Sequence, residues 1–141
     1  MLVMGPLTDK FEENVQNYLS VPYSVAVSSG TSALYLIAKS LNINSNHSVI
    51  VPSITFLATA NAFSCCGAEV IFSDCDKNTG LVTEKHIIEA IKKASKPVKA
   101  IVIVHLGGRI VDLKKISTLA KKKNLYYRRR LSLLWFSFIL Q

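Results

Sequence analysis

The sequence predicts an α/β fold in which helices cover both faces of a parallel sheet. Short apolar segments alternate along the chain with amphipathic segments that have helical spacing. The apolar segments are continuous runs, which indicates strands that are buried on both faces. With 141 residues, 50% of them hydrophobic, the chain is long enough for one domain with its own core.

The first half of the chain alternates helix and strand. Thr8 is predicted to cap a helix, followed by a strand at residues 24–27, a helix at 30–41 and a strand at 48–52 that ends at Pro52. The apolar face of the first helix is formed by Phe11, Val15, Tyr18 and Leu19.

The second half continues the same alternation. A helix at residues 56–66 is predicted to end at Gly67, because glycine commonly follows a helix C-terminus. Thr83 and Asp112 are predicted to cap two further helices, since both side chains accept hydrogen bonds from backbone N–H groups. The remaining predicted strands cover residues 69–74 and 99–106, and a fifth begins at Asn124.

The positive charge lies at one end of the chain. The net charge is +8, but residues 1–112 carry nine basic and nine acidic side chains, and eight further bases lie within residues 113–141. A neutral body gives no evidence for a nucleic-acid-binding face, and we expect no nucleic-acid partner. A nucleic-acid-binding arm at the basic end remains an alternative, which salt-dependent binding to random DNA would reveal.

The cysteine and histidine residues predict neither disulfides nor a metal site. Cys65, Cys66 and Cys75 form no C-x-x-C pair, and their odd number favours a reducing compartment, so we expect a cytoplasmic protein. The adjacent Cys65 and Cys66 lie in an apolar stretch and are predicted to be buried by packing. The three histidines have no metal-ligand spacing.

Polar residues follow the first predicted strand. In parallel α/β sheets, ligands bind at the carboxyl ends of the strands. Ser29, Gly30, Thr31 and Ser32 follow residues 24–27 and begin a helix whose unbonded N–H groups and dipole attract an anion, best a phosphate. The pattern is neither the dinucleotide-binding motif nor the P-loop. These residue types are also ordinary at helix N-termini, so a plain cap is the alternative.

The ends of the other strands are less specific. Phe56 follows the second strand and either stacks on a flat cofactor ring or packs in the core. Asp74 and Asp76 follow the third strand, where the neighbouring Asn, Thr and Gly residues indicate a turn. His105 ends the fourth strand and could act as an acid or base, but a histidine at a strand end is predicted to be a packing residue.

Four segments, in this order, resemble one protein family. The segments are VAVSSGTSAL, VIVPSITFLATANAF, VIFSDCDKNTGLVTEKHIIEAI and KAIVIVHLGGRIVDLKKISTLAKKKNL. They are similar to segments of the DegT/DnrJ/EryC1/StrS family of sugar aminotransferases, which depend on pyridoxal 5'-phosphate (PLP). The earlier segment GPLTDKFEENVQNYL fits the first helix of that family, so the resemblance spans about residues 5–125.

The resemblance implies a type I PLP-dependent fold and the transfer of an amino group from an amino acid to a keto sugar nucleotide. It implies a homodimer without a membrane partner, acting in amino-sugar or surface-polysaccharide biosynthesis. Gly30, Thr31 and Ser32 match the loop that holds the cofactor phosphate, and Phe56 matches the aromatic residue that stacks on the pyridine ring. In the family's sheet the second strand lies between the third and the fourth, the fifth follows the fourth, and the strand at 24–27 pairs only with the seventh.

Two groups that the chemistry requires have no match in this sequence. The family uses a Schiff-base lysine and an acid at the pyridine nitrogen, the acid in an I-E-D-A stretch on the fifth strand. Lys114, Lys115 and residues 121–123 are predicted to be solvated charges. We therefore expect no catalytic residue, an inactive chain, and two parts: a fragment of the PLP-binding large domain at residues 1–125 and an aberrant basic and apolar tail at 126–141.

The alternative is a small membrane-associated protein anchored by this tail. Residues 128–130 are three arginines, followed by ten mostly apolar residues. A membrane-spanning helix needs about twenty apolar residues, so the run is too short for one. Flotation with liposomes distinguishes the two interpretations.

The chain is predicted to be truncated by a frameshift near residue 126, which makes the tail a frameshift product. Trp135 has the single codon TGG and Phe136 begins with T, so the frame one nucleotide later must encode glycine there. With permitted codons, the residues from Tyr126 to Arg130 become Ile-Ile-Glu-Asp-Ala in that frame, which is the missing acidic stretch. Sequencing the gene tests this prediction. A shifted frame without a Glu-Asp pair opposite the arginines, or without a lysine-bearing continuation, contradicts it.

Overall fold

The computed structural model describes residues 5–122 and 136–140, with side chains described up to residue 119. Helices and strands alternate along most of this part of the chain. In order, the elements are α1 (Pro6–Leu19), α2 (Gly30–Ser40), β1 (Ser48–Pro52), α3 (Ala58–Ser64), β2 (Glu69–Ser73), α4 (Glu84–Lys93), β3 (Val98–Val104), a 3-10 turn (Leu106–Gly108), α5 (Leu113–Lys122) and β4 (Phe136–Leu140).

Three of the strands form the predicted parallel sheet. The strand order is β2-β1-β3-β4, and β1 pairs in parallel with both β2 and β3. Val49 lies opposite Val70, and Ile50 lies opposite Ile101 on the other side. The predicted second strand therefore lies between the third and the fourth, which is the order that the family resemblance implies.

The fourth strand of this sheet was not predicted. β4 pairs with β3 in the antiparallel direction, with Leu140 opposite Ala100 and Phe136 opposite Val104. The strand predicted to begin at Asn124 lies outside the described residues. The edge of β3 that faces away from β1 is therefore occupied by the last residues of the chain.

Each face of the sheet has its own hydrophobic core. Because side chains alternate along a strand, Val49 and Val51 of β1 pack on one face and Ile50 packs on the other. On the first face they meet α2 and α3, including the fully buried Phe63. On the second face Ile50 meets α4 and α5, including Ile87. Burial on both faces is the physical reason for the continuous apolar runs in the sequence.

The capping predictions are confirmed at two helices and wrong at a third. The Thr83 hydroxyl accepts the N–H of His86, and a carboxylate oxygen of Asp112 accepts the N–H of Lys115 at 3.2 Å. Thr8 instead lies inside α1, which begins at Pro6 after the N-cap residue Gly5. Proline is favoured in the first turn because its fixed φ is helical and its missing N–H is not needed there.

The helix α1 packs differently from the prediction. Its half-buried residues are Glu12, Val15, Gln16 and Leu19, whereas the predicted inward residues Phe11 and Tyr18 are exposed. The prediction assumed that apolar residues alone decide the contact face. The observed face is set in part by the carboxylate of Glu12, which forms a hydrogen bond with the chain beyond α1.

Residues 24–27 do not form the predicted strand. Their pairing partner in the family's sheet would be the seventh strand, and no strand pairs with them within the described residues. Two hydrogen bonds hold this segment against α1. The Ala26 N–H donates to Oε1 of Glu12 at 2.7 Å, and the Ser24 hydroxyl donates to the Glu12 carbonyl at 2.7 Å.

The end of α3 corrects the cysteine prediction. The helix is shorter than predicted and is followed by a turn in which Gly67 has a φ of +86°. Cys65 is exposed, so the prediction that it is buried is wrong. Cys66 is half-buried, and its thiol donates to the Ala62 carbonyl at 3.5 Å. Adjacent residues at a helix end point in different directions, so both thiols cannot face the core.

Glu69 connects three segments at the amino edge of the sheet. Its carboxylate accepts a hydrogen bond from the Ser48 hydroxyl of β1, and the Ser95 hydroxyl and N–H donate to it at 2.7 and 3.1 Å. These bonds, first that of Ser48 and then those of Ser95, hold the pKa of Glu69 below its usual value. The carboxylate therefore stabilises the folded chain more in its charged form.

We expect Glu69→Gln to lower the melting temperature of the chain near pH 7, because the amide accepts these hydrogen bonds more weakly than the carboxylate. The stabilisation is complete above the unfolded pKa of glutamate, about 4.3, and is lost as the pH falls through the lower folded pKa. The difference between the two proteins should therefore narrow in acid. Glu89→Gln is the matched control, since Glu89 is exposed. Equal melting temperatures for the wild type and the Glu69 variant at neutral pH would contradict the assignment.

Candidate functional site

The candidate site lies at the carboxyl edge of the parallel sheet. α2 ends shortly before the amino end of β1, so its first turn points toward the carboxyl end of that strand. α3 begins shortly after the carboxyl end of β1. Both helices pack on the same face of the sheet and run from its carboxyl edge toward its amino edge. Their N-termini therefore open at the same edge.

Residues 28–32, which we call the anion loop, form a well-defined helix start. Ser29 is the N-cap residue of α2, with extended backbone, and its hydroxyl oxygen accepts the Ser32 N–H at 3.1 Å. The Ser29 carbonyl accepts the N–H of Ala33 at 3.1 Å. These two bonds satisfy the N–H groups of the third and fourth helical positions.

The N–H groups of Gly30 and Thr31 remain available. Neither has an acceptor among the described residues, and both residues are exposed. No acidic side chain lies in the first turn of α2, so nothing there repels an anion. A Cβ atom built on Gly30 would meet nothing within 4 Å, so packing within the described fold does not require glycine at this position. The loop therefore combines two unpaired donors, the positive end of a helix dipole and open space.

Three serine hydroxyls of the anion loop lie close to one another. The Ser32 hydroxyl lies 2.9 Å from that of Ser29 and 3.2 Å from that of Ser28. The sequence left a plain cap and an anion site as alternatives. The two are compatible in this geometry, because Ser29 caps one N–H group while those of Gly30 and Thr31 stay unpaired.

Phe56 lies at the same edge of the sheet, between β1 and α3. Its side chain is 73% exposed, so the alternative in which it packs in the core is wrong. The hydroxyls of Thr55 and Thr59 approach to 2.9 Å beside it. Among the described residues, no hydrogen bond or ring contact joins Phe56 to the anion loop. The exposed ring is accessible to a flat partner.

The aspartates after β2 form the predicted turn. Asp76 accepts hydrogen bonds from the Thr79 hydroxyl at 3.0 Å and from the N–H groups of Thr79 and Asn78 at 2.9 and 3.1 Å. These bonds, those of Thr79 first, hold the pKa of Asp76 below its usual value. Asp74 accepts the N–H of Cys75 at 2.8 Å. Both carboxylates therefore accept hydrogen bonds from backbone N–H groups of the loop.

His105 has the structural role that was predicted for it. Its ring nitrogen Nδ1 accepts the N–H of Val111 at 3.1 Å, which ties the end of β3 to the approach of α5. Partial burial lowers the pKa of His105. The lower pKa favours the neutral ring, which is the form whose Nδ1 can accept this hydrogen bond.

A second concavity lies on the opposite face of the sheet. This cavity of about 170 Å³ opens between the first turns of α4 and α5, where Leu81, Val82, Val111 and Ile116 line it. It is remote from the anion loop, since α2 and α3 cover the other face.

Within the described residues, no group of three metal-ligating side chains occurs, and no helix has the length and apolarity to cross a membrane.

Sequence comparison identifies relatives of this chain. The profile of the DegT/DnrJ/EryC1/StrS aminotransferase family matches residues 1–127. The chain is 39% identical over 125 residues to UDP-4-amino-4,6-dideoxy-N-acetyl-beta-L-altrosamine transaminase of Campylobacter jejuni, covering 89% of this chain and 33% of that protein. It is 38% identical over 122 residues to GDP-perosamine synthase of Escherichia coli O157:H7, covering 86% and 33%.

Solved structures agree with this relationship. The aminotransferase from Psychrobacter cryohalolentis superposes with a TM-score of 0.79 at 34% identity, over 89% of this chain and 31% of that one. The PLP form of a sugar aminotransferase from Streptococcus pneumoniae gives a TM-score of 0.78 at 28% identity, over 85% and 30%. The chain spans about a third of the length of these relatives. Its fold is part of the type I PLP-dependent fold, and the chain belongs to the DegT/DnrJ/EryC1/StrS aminotransferase family.

Proposed function

We propose that residues 1–125 are the first part of the PLP-binding domain of an enzyme that moves an amino group from an amino acid onto a keto sugar nucleotide. The observation that carries the proposal is the anion loop, with its unpaired N–H groups of Gly30 and Thr31 in a chain of this family. The enzyme would act as a cytoplasmic homodimer in amino-sugar or surface-polysaccharide biosynthesis. The three unpaired cysteines favour a reducing compartment.

The anion loop fits the phosphate group of PLP. A phosphate accepts several charge-assisted hydrogen bonds, and the loop offers the N–H groups of Gly30 and Thr31 and the hydroxyls of Thr31 and Ser32. The open space beside Gly30 lets a phosphate oxygen approach the backbone. The dipole of α2 favours the negative charge at this end of the helix. Phosphate would therefore be held mainly by the backbone, without a basic side chain from the loop.

Phe56 fits the pyridine ring of PLP. An aromatic side chain that is 73% exposed, at the same edge as the anion loop, can cover one face of a flat ring. The role of Phe56 in this chain would be to orient the cofactor, while residues 30–32 fix its phosphate. Bound PLP supplies the electron sink for amino-group transfer.

Two groups that the chemistry needs, the Schiff-base lysine and the acid at the pyridine nitrogen, have no motif match in this sequence. Lys114 and Lys115 lie in the exposed first turn of α5, and Lys115 forms an ion pair of 3.3 Å with Asp112. They lie on the face of the sheet opposite α2 and fit the role of solvated charges. We propose that these 141 residues bind no cofactor covalently and catalyse no transfer by themselves. We also propose that residues 126–141 are an aberrant tail and not family sequence of the PLP-binding domain, even though β4 within them pairs with β3. The end of the family match at residue 127 supports this proposal.

We expect Thr31→Ala to weaken PLP binding when residues 1–125 are joined to a lysine-bearing remainder of the family. The change removes one charge-assisted hydrogen bond, about 1.5–3 kcal/mol. Gly30→Val should weaken binding further, because its side chain fills the space beside the backbone. Thr31→Ser, which keeps the hydroxyl, and Ser40→Ala, at the far end of α2, are matched controls. Cofactor affinity is measured by equilibrium dialysis; affinities unchanged in both test variants would show that the loop is only a cap.

We expect the 141-residue chain itself to bind PLP weakly and without a covalent bond. The reason is a phosphate loop with no lysine that matches the family's position. After incubation with PLP and reduction with borohydride, peptide mass spectrometry should find at most low, scattered modification of lysines. Stoichiometric labelling of a single lysine would overturn this prediction.

A further inference from the structure

We propose that Glu12 is a positioning residue that holds the anion loop in place through the N–H of Ala26. The inference rests on the proposed function of that loop. Glu12 lies in the middle of α1, far along the chain from the loop, and nothing in its local sequence marks it. Its role follows from the hydrogen bonds that join α1 to residues 24–27.

In the described part of the chain, Glu12 accepts both hydrogen bonds that join α1 to this segment. Its Oε1 accepts the N–H of Ala26 at 2.7 Å, and its backbone carbonyl accepts the hydroxyl of Ser24 at 2.7 Å. Among the described residues, the Glu12 carboxylate has no cationic partner. Because its side chain is half-buried, the carboxylate is partly shielded from water where it accepts this bond from the amide. The neighbouring Glu13 is exposed and makes no such bond within the described chain.

The segment that Glu12 holds is otherwise weakly supported. Ser24 and Ala26 are half-buried, whereas Val25 is 75% and Val27 38% exposed. This alternation is that of a strand with one side turned toward α1. No strand pairs with residues 24–27 in the described part of the chain. Backbone with so few contacts opens easily, so the bond to Glu12 is a large share of what fixes it.

The anion loop begins two residues after Ala26. Ser28 and Ser29 carry the hydroxyls that meet Ser32, and all three depend on how the chain enters α2. A shift of Ala26 therefore changes the angle at which Ser29 reaches its capping position. Through this short connection, Glu12 sets the direction of the unpaired N–H groups of Gly30 and Thr31 without touching a ligand.

Amide hydrogen exchange on the full 141-residue chain tests the inference without any ligand. We expect Glu12→Ala to accelerate exchange of the Ala26 N–H about tenfold, the loss of one charge-assisted bond. The positioning role further requires faster exchange of the Ser32 N–H, which bonds to Ser29. Glu12→Gln keeps a neutral acceptor and should fall between Glu12→Ala and the wild type. Glu13→Ala, the matched control, should leave both amides unchanged.

The possible outcomes are distinct. Acceleration of Ala26 and Ser32 together, graded through the glutamine variant, supports the inference. Acceleration of Ala26 alone, or of neither amide, overturns it. Exchange of the Ile101 amide of β3 reports on the stability of the whole fold. If Glu12→Ala also accelerates exchange of the Ile101 amide, that variant has destabilised the whole fold. The exchange rates of Ala26 and Ser32 in the Glu12→Gln variant then decide whether the inference holds. Failure of the proposed function would be seen in a different measurement, as unchanged PLP affinity in the Thr31 and Gly30 variants.

Discussion

The burial of β1 on both faces is the constraint on which the rest of the structure depends. Val49, Ile50 and Val51 are each at most 1% exposed, and they point alternately to the two sides of the sheet. Apolar strands of this kind need helices on both faces, so each connection between parallel strands must cross one face and return. Every crossover helix then starts at the carboxyl edge and ends at the amino edge. The exposed Phe56 before α3 lies where it does because of this return path. The anion loop opens at the same edge because α2 packs on the same face and ends shortly before the amino end of β1.

Features that depend on residues close together in sequence were predictable, and those that depend on distant contacts were not. The caps at Thr83 and Asp112 join residues three positions apart. The strands of the parallel sheet, such as the one that contains Ile101, are visible in the sequence as continuous apolar runs. The bond from Ala26 to Glu12 spans fourteen positions, and no local pattern indicates it. The expected strand at residues 24–27 failed for the same reason, since a strand exists only with its partner. In the site, the loop itself was predictable from residue types, whereas the exposure of Phe56 needed the packing of α3.

The anion loop illustrates how one sequence signal can serve two purposes. A helix start has more N–H groups than a single cap can satisfy. Ser29 takes the N–H of Ser32, and the groups of Gly30 and Thr31 are left for another acceptor. The cap and the candidate ligand site therefore use different N–H groups of the same helix start. Glycine at position 30 is not required by the cap or by packing, since nothing in the described fold occupies the space that a side chain would fill. What glycine adds is open space beside the backbone.

Residues 24–27 and the edge of β3 that faces away from β1 would each pair with a further strand in the family's sheet, and in this chain they are occupied in different ways. At residues 24–27 a carboxylate takes one N–H group, which leaves the rest of the segment able to accept a strand. At β3 the edge is paired over five residues, from Ala100 to Val104, by β4. Each edge of a strand holds one partner at a time, and the other edge of β3 belongs to β1. In the family's strand order the fifth strand would pair with β3 on that same edge. A fifth strand supplied by another polypeptide could therefore add to this sheet only by displacing β4, whereas a partner for residues 24–27 would displace no strand of the described sheet.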